Sequence, residues 1–83
     1  MFYHIEGVVA ELEPNFTVIE CGGVGFAVNV SANTVSTLKK GGKAKLYISE
    51  SVSENAFDLF GFAEKSEKRC FEMLTAVSGI GPK

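Results

Sequence analysis

Apolar side chains recur at every second residue through Val24, Phe26, Val28 and Val30, with Gly25, Ala27 and Asn29 between them. Such a period places one set of side chains on a single face of a β-strand and buries that face. The same pattern of short strands and turns governs the chain as far as Phe62, and it limits the possible folds more than any single motif does. After Phe62 the period changes. In Glu64 to Val77, Cys70, Met73, Leu74 and Val77 recur at helical spacing with Phe71 beside them, which predicts an apolar stripe along one helix. Glu64 and Lys68 are spaced as a favourable i,i+4 pair on its outer side.

Turn residues cut the first part into five strands. Phe2 to Glu11 is rich in β-formers, and Glu13-Pro14-Asn15 is a turn. Phe16 to Cys21 follows, then Gly22-Gly23, a two-residue hairpin signal leading into the alternating strand that runs to Val30. Ser31 is placed to cap a short helical segment through about Leu38. Lys39-Lys40-Gly41-Gly42-Lys43 reads as a basic loop. Ala44 to Val52 and Ala56 to Phe62 then form a hairpin with its tip at Ser53-Glu54-Asn55. The fold class is therefore mainly β. Residues 1–62 are predicted to close into a five-stranded Greek-key barrel of the OB type, and residues 63–83 to start a second domain with an α-helix. An SH3-like barrel satisfies the same periodicity.

Composition narrows the setting. Of the 83 residues, 46% are hydrophobic, enough for one core without a disulfide framework. Cys21 and Cys70 form no close pair, so they predict neither a metal nor a redox motif and read as small buried hydrophobes of a reducing compartment. No apolar run approaches the ~20 residues of a membrane span, and the N-terminus lacks a signal pattern. A cytoplasmic protein is expected, with no cofactor and no membrane partner. The net charge of −2 argues weakly against nucleic-acid binding, but its distribution is uneven. Every Lys and Arg lies at or beyond Lys39, whereas residues 2–38 carry Glu6, Glu11, Glu13 and Glu20. Phosphate contacts are thus expected late in the chain.

The late segment Ser78-Gly79-Ile80-Gly81-Pro82-Lys83 suits such contacts. Two glycines around an apolar residue permit a tight reversal between helices, and Pro82 fits the first turn of a second helix. Gly79, Ile80 and Gly81 would offer backbone amides to a phosphate, and Lys83 a cation beside them. An ordinary helix stop uses the same residues. Because the sequence ends where that second helix would begin, it is read as part of a longer protein. No set of residues composes a catalytic site, and no phosphate-binding loop of the ATPase type is present. His4, the sole histidine, reads as a half-buried strand residue. Phe26, Phe57, Phe60 and Phe62 read as core, although stacking platforms for bases use such aromatics too. The basic loop Lys39, Lys40 and Lys43 reads as solubilising, with a DNA contact as its alternative.

Several segments, taken in order, carry a resemblance. Gly22-Gly23-Val24-Gly25-Phe26, Glu54-Asn55 at a hairpin tip, Leu59-Phe60-Gly61-Phe62 and the closing Ser78 to Lys83 resemble the RuvA family of bacterial Holliday-junction-binding proteins. The resemblance spans the whole chain. It implies an OB-fold barrel followed by a domain of helix-hairpin-helix motifs, of which residues 63–83 would be the start. It further implies a homotetramer that holds a four-way junction, and a third domain that engages RuvB, a motor ATPase. Gly79, Ile80, Gly81 and Lys83 would then be the DNA-binding turn. Glu54 and Asn55 would stand where the family carries an acidic pin, aimed at the centre of the junction. Two acids are usual there, so Asn55 leaves one charge unless Glu50 or Asp58 contributes. An ordinary polar turn, with Asn55 favouring a left-handed conformation, accounts for the same two residues. Two other functions fit a barrel of this kind: an assembly module, and a generic single-strand-binding OB domain.

Overall fold

The computed structural model describes residues 2–52 and 54–78. Five strands form a closed barrel, β1 (His4–Leu12), β2 (Phe16–Cys21), β3 (Val24–Asn29), β4 (Lys43–Val52) and β5 (Phe57–Phe62). Around the barrel the order is β1-β2-β3-β5-β4, with β4 returning to β1. Four of the five contacts are antiparallel, and β3 meets β5 in parallel at Asn29 and Phe60. The helix α1 (Ala32–Val35) bridges β3 and β4, and α2 (Lys65–Ser78) leaves the end of β5. This is the predicted OB barrel, and the SH3-like alternative is set aside by the strand order.

Local chemistry explains the joints. Gly22 and Gly23 have φ of 57° and 88°, the doubly left-handed turn whose twist matches a two-residue hairpin. Ser31 caps α1 by accepting the Thr34 N–H at 3.2 Å. The helix ends at Val35 rather than near Leu38, because Thr37 N–H turns back to the Thr34 carbonyl in a tighter turn. Gly7 lies where β1 crosses β2 so closely that a Cβ would strike the Glu20 carbonyl oxygen. Just beyond it, the register of β1 against β2 shifts between Val9 and Glu11, a bulge that helps the sheet curl.

Every strand contributes to the core. Ile5, Val9, Ile19, Val28, Leu46, Ile48 and Leu59 are buried, with Val30 beside them. Full burial of such side chains stabilises by about 1.5–3 kcal/mol each. Thr17 is fully buried too, and its hydroxyl is satisfied by donating to the Glu11 carbonyl at 2.7 Å. In β3 the predicted alternation holds as a gradient. Val28 is buried and Phe26 half-buried, but Val24, next to the hairpin turn, is exposed.

The helix α2 departs from expectation. Its predicted stripe is not its contact face: Cys70, Met73 and Leu74 are exposed, and the side chain of Val77 lies outside the described residues. Phe71 makes the contact instead, with its ring 5.3 Å from that of Phe60 and 5.2 Å from that of Phe62. On the neighbouring turn, Lys68 lays its ammonium 3.9 Å from the centre of the Tyr3 ring. Lys68 pairs with Glu72 at 4.0 Å, not with Glu64. Glu64 serves the helix start instead, since its N–H donates to the Glu67 carboxylate at 3.2 Å as in half of a capping box.

Candidate nucleic-acid interface

The β4–β5 hairpin continues beyond the residues that pair β4 with β1. With ten residues β4 is the longest strand, and it pairs with β1 only through Lys43 to Tyr47. From Glu50 onward it pairs with β5 alone: Glu50 with Leu59, Ser51 with Asp58, and Val52 with Phe57. A two-stranded ribbon therefore continues past the closed barrel. Its base is tied down where Asn29 Nδ2 donates to the Leu59 carbonyl at 3.1 Å, beside the β3–β5 closure.

Glu54 and Asn55 occupy the end of this ribbon, and both are exposed. Asn55 has no positive φ, so a left-handed turn is not the reason for an asparagine here. The charge around the tip is one-sided. Between Lys45 and Lys65 the sequence has no basic residue, while Glu50, Glu54, Asp58 and Glu64 are acidic. Glu50 does not reinforce the tip, because its half-buried carboxylate accepts the Phe2 N–H at 2.6 Å. Asp58 is exposed one pair below the tip and adds a second carboxylate to the ribbon.

The other sequence candidates separate from this site. Gly79, Ile80, Gly81 and Lys83 lie outside the described residues. In the basic loop, Lys40 pairs with Glu11 at 3.7 Å, and both side chains are well exposed. The loop backbone is bound to β1, with Val9 N–H donating to the Gly42 carbonyl and Gly41 N–H to the Val9 carbonyl, each at 2.8 Å. Lys43 belongs to β4 rather than to the loop. Cys21 is half-buried and donates to the Glu6 carbonyl at 3.1 Å, but Cys70 is exposed, contrary to its reading as a core residue.

His4 is also exposed, not half-buried. It packs edge to face against Tyr3 and Tyr47, at centroid distances of 6.1 and 6.4 Å. Lys45 and Lys65 stand 5.4 and 5.8 Å from the Tyr47 ring centre. No sequence motif marks this cluster, because its members come from Tyr3 ahead of β1, from β1 and β4, and from α2. The phenylalanines divide as well. Phe26 is half-buried against Phe2, and Phe60 and Phe62 are half-buried under Phe71. Phe57 is 56% exposed on the ribbon, so its assignment to the core is wrong. Among the described residues no cluster of His, Cys, Asp or Glu could hold a metal ion, and no helix is long and apolar enough to cross a membrane.

A five-stranded closed barrel in this strand order, with a helix leaving its last strand, defines an OB-fold protein with a helical extension. The chain belongs to the RuvA family, since the family model described as RuvA N terminal domain matches residues 1–61. Similar proteins bear the name Holliday junction branch migration complex subunit RuvA. That of Bacteroides fragilis is 48% identical over 81 residues, covering 98% of this chain and 40% of that protein. That of Streptomyces coelicolor is 47% identical over 83 residues, covering 100% of this chain and 41% of that protein. That of Parabacteroides distasonis is 46% identical over 82 residues, covering 99% and 42%. The chain thus spans about two fifths of the length of the curated relatives it matches.

Proposed function

We propose that this chain is the barrel-bearing part of a subunit that binds four-way DNA junctions during recombination and repair, and that it is not itself catalytic. Residues 1–62 form the barrel domain, and residues 63–83 open a helix-hairpin-helix domain. The observation that carries the reading is the exposed acidic tip on a ribbon that projects beyond the barrel. A negative charge on such a projection repels phosphates. The strands of an open junction can splay around the tip and keep their phosphates away from it, whereas continuous duplex cannot, so the tip holds the crossover open and disfavours unbranched duplex. Attraction comes from elsewhere: Gly79, Ile80 and Gly81 hold a phosphate with backbone amides, and Lys83 adds a cation. Contacts of that type ignore sequence and weaken with salt. Asn55 leaves Glu54 as the charge at the tip, with Asp58 behind it. In the complete protein four such subunits surround the junction, and a motor ATPase of the RuvB type supplies the work in the bacterial cytoplasm.

A single-strand-binding barrel is the less favoured reading. A basic groove lined with aromatics is what such a barrel would need. Phe57, a strongly exposed ring outside the lysine cluster, stands on the acidic ribbon instead, while Tyr3 and the half-buried Tyr47 are engaged by Lys68, Lys45 and Lys65. The test is a gel-shift series with the full-length protein on a four-way junction, a duplex of equal length and a single strand, across salt concentrations. A salt-sensitive preference for the junction is expected. In Glu54→Gln, duplex binding should strengthen about 5-fold, since unit charges a few ångströms apart in water repel by about 1 kcal/mol. Preference for single strands would overturn the reading. Unchanged discrimination in Glu54→Gln would reduce the barrel to an assembly module.

A further inference from the structure

Alternation along β4 and β5 places Ile48, Glu50 and Val52 on one face of the ribbon, together with Leu59 and Phe57. Where this face lies inside the barrel it is covered: Ile48 is 1% exposed and Leu59 6%. At the last pair the barrel no longer covers it. Val52 and Phe57 stand directly opposite each other, 58% and 56% exposed, immediately below Glu54 and Asn55. Two large apolar groups are thus presented to solvent on a projection whose remaining charges are carboxylates.

The surroundings decide what can cover them. A phosphate is repelled by Glu54 and Asp58. A second copy of the chain seated on the same patch would bring like carboxylates together. A nucleobase is neutral, flat and apolar on its faces, and it suits an exposed phenyl ring. Base faces are bare of flanking phosphates only where stacking is interrupted, as at a branch point.

Resting on the proposed junction binding, we propose that Phe57, backed by Val52, stacks on an unstacked base at the centre of a branched DNA. Glu54 then turns phosphates away, and Phe57 receives the base that the open centre exposes. The apolar pair makes the ribbon a wedge as well as a charged post, in the way that apolar side chains hold base steps apart elsewhere.

The test uses the full-length protein with Phe57→Ala and Phe57→Trp, on a four-way junction carrying 2-aminopurine either at the crossover or within an arm. Wild type should change the fluorescence of the crossover probe and not that of the arm probe. In Phe57→Ala that change should be lost, and junction affinity should fall about 5-fold or more, the usual scale for one aromatic–base stack. Duplex affinity should stay the same, and Phe57→Trp should restore both junction signals. An unaltered crossover signal in Phe57→Ala would overturn the proposal. So would dissociation of the oligomer by Phe57→Ala on size-exclusion chromatography, which would make the patch a contact between copies. Failure of the underlying reading looks different, because wild type itself would then show no preference for the junction.

Discussion

The barrel and the helix that follows it are held by different kinds of contact. In the barrel, every strand sends at least one side chain into a common interior, and the backbone closes on itself. Ile19 and Val28 are fully buried there. The helix α2 rests on the outside through the Phe71 ring and the ammonium groups of Lys65 and Lys68 over tyrosine rings, while Met73 and Leu74 are 61% and 65% exposed. The contrast teaches that an apolar pattern marks a face without marking its cover. In a closed sheet the cover is supplied by the sheet itself. A helix at the end of that sheet must find its cover elsewhere, and here the covered side chain is Phe71, off the stripe.

Breaking the barrel should have the largest effect. Ile19→Ala leaves a cavity at a site with no exposed surface, and a loss of about 2–5 kcal/mol is expected in urea unfolding of this chain. A loss below about 1 kcal/mol would mean that the interior collapses around the gap and is not the rigid member of the pair. Phe71→Ala tests the helix. Its ring is only half-buried, so the cost should be about 1–2 kcal/mol, below the ~3–5 kcal/mol of a fully buried phenylalanine. In hydrogen exchange the amides of α2 should lose protection while those of β1 and β2 keep it. Parallel loss in both regions would show one cooperative unit and dissolve the contrast. The smallest effect belongs to Met73→Ser combined with Leu74→Ser, expected to change stability by less than about 0.5 kcal/mol. A larger destabilisation in thermal melting would place the stripe in a packed interface in solution.

Much of the fold was legible because strands and turns announce themselves locally. The Gly22-Gly23 turn, the cap at Ser31 and the five strands stand within a residue or two of their sequence-based positions. The candidate site was legible in part. Glu54 and Asn55 lie at an exposed hairpin end, as their polar pattern and the resemblance indicated. What sequence could not supply is the length by which the ribbon outruns the barrel. That depends on β1 pairing with β4 only as far as Tyr47, a long-range matter of register. For the same reason the alternation alone places Phe57 in the core. It occupies an inward position in the alternation, and only the point at which the barrel ends leaves it uncovered.

By itself, then, the sequence determined which residues share a face, where the chain reverses, and the acidic character of the stretch from Glu50 to Glu64. These are local properties, set by backbone sterics, glycine placement and the order of charges. The tertiary structure alone decided which faces are covered. Closure of β3 on β5 buries Leu59 but not Phe57, and the angle at which α2 leaves the barrel buries part of Phe71 but not Leu74. Burial depends on what arrives from elsewhere in the chain, and no periodicity within a segment encodes the position of its distant neighbours.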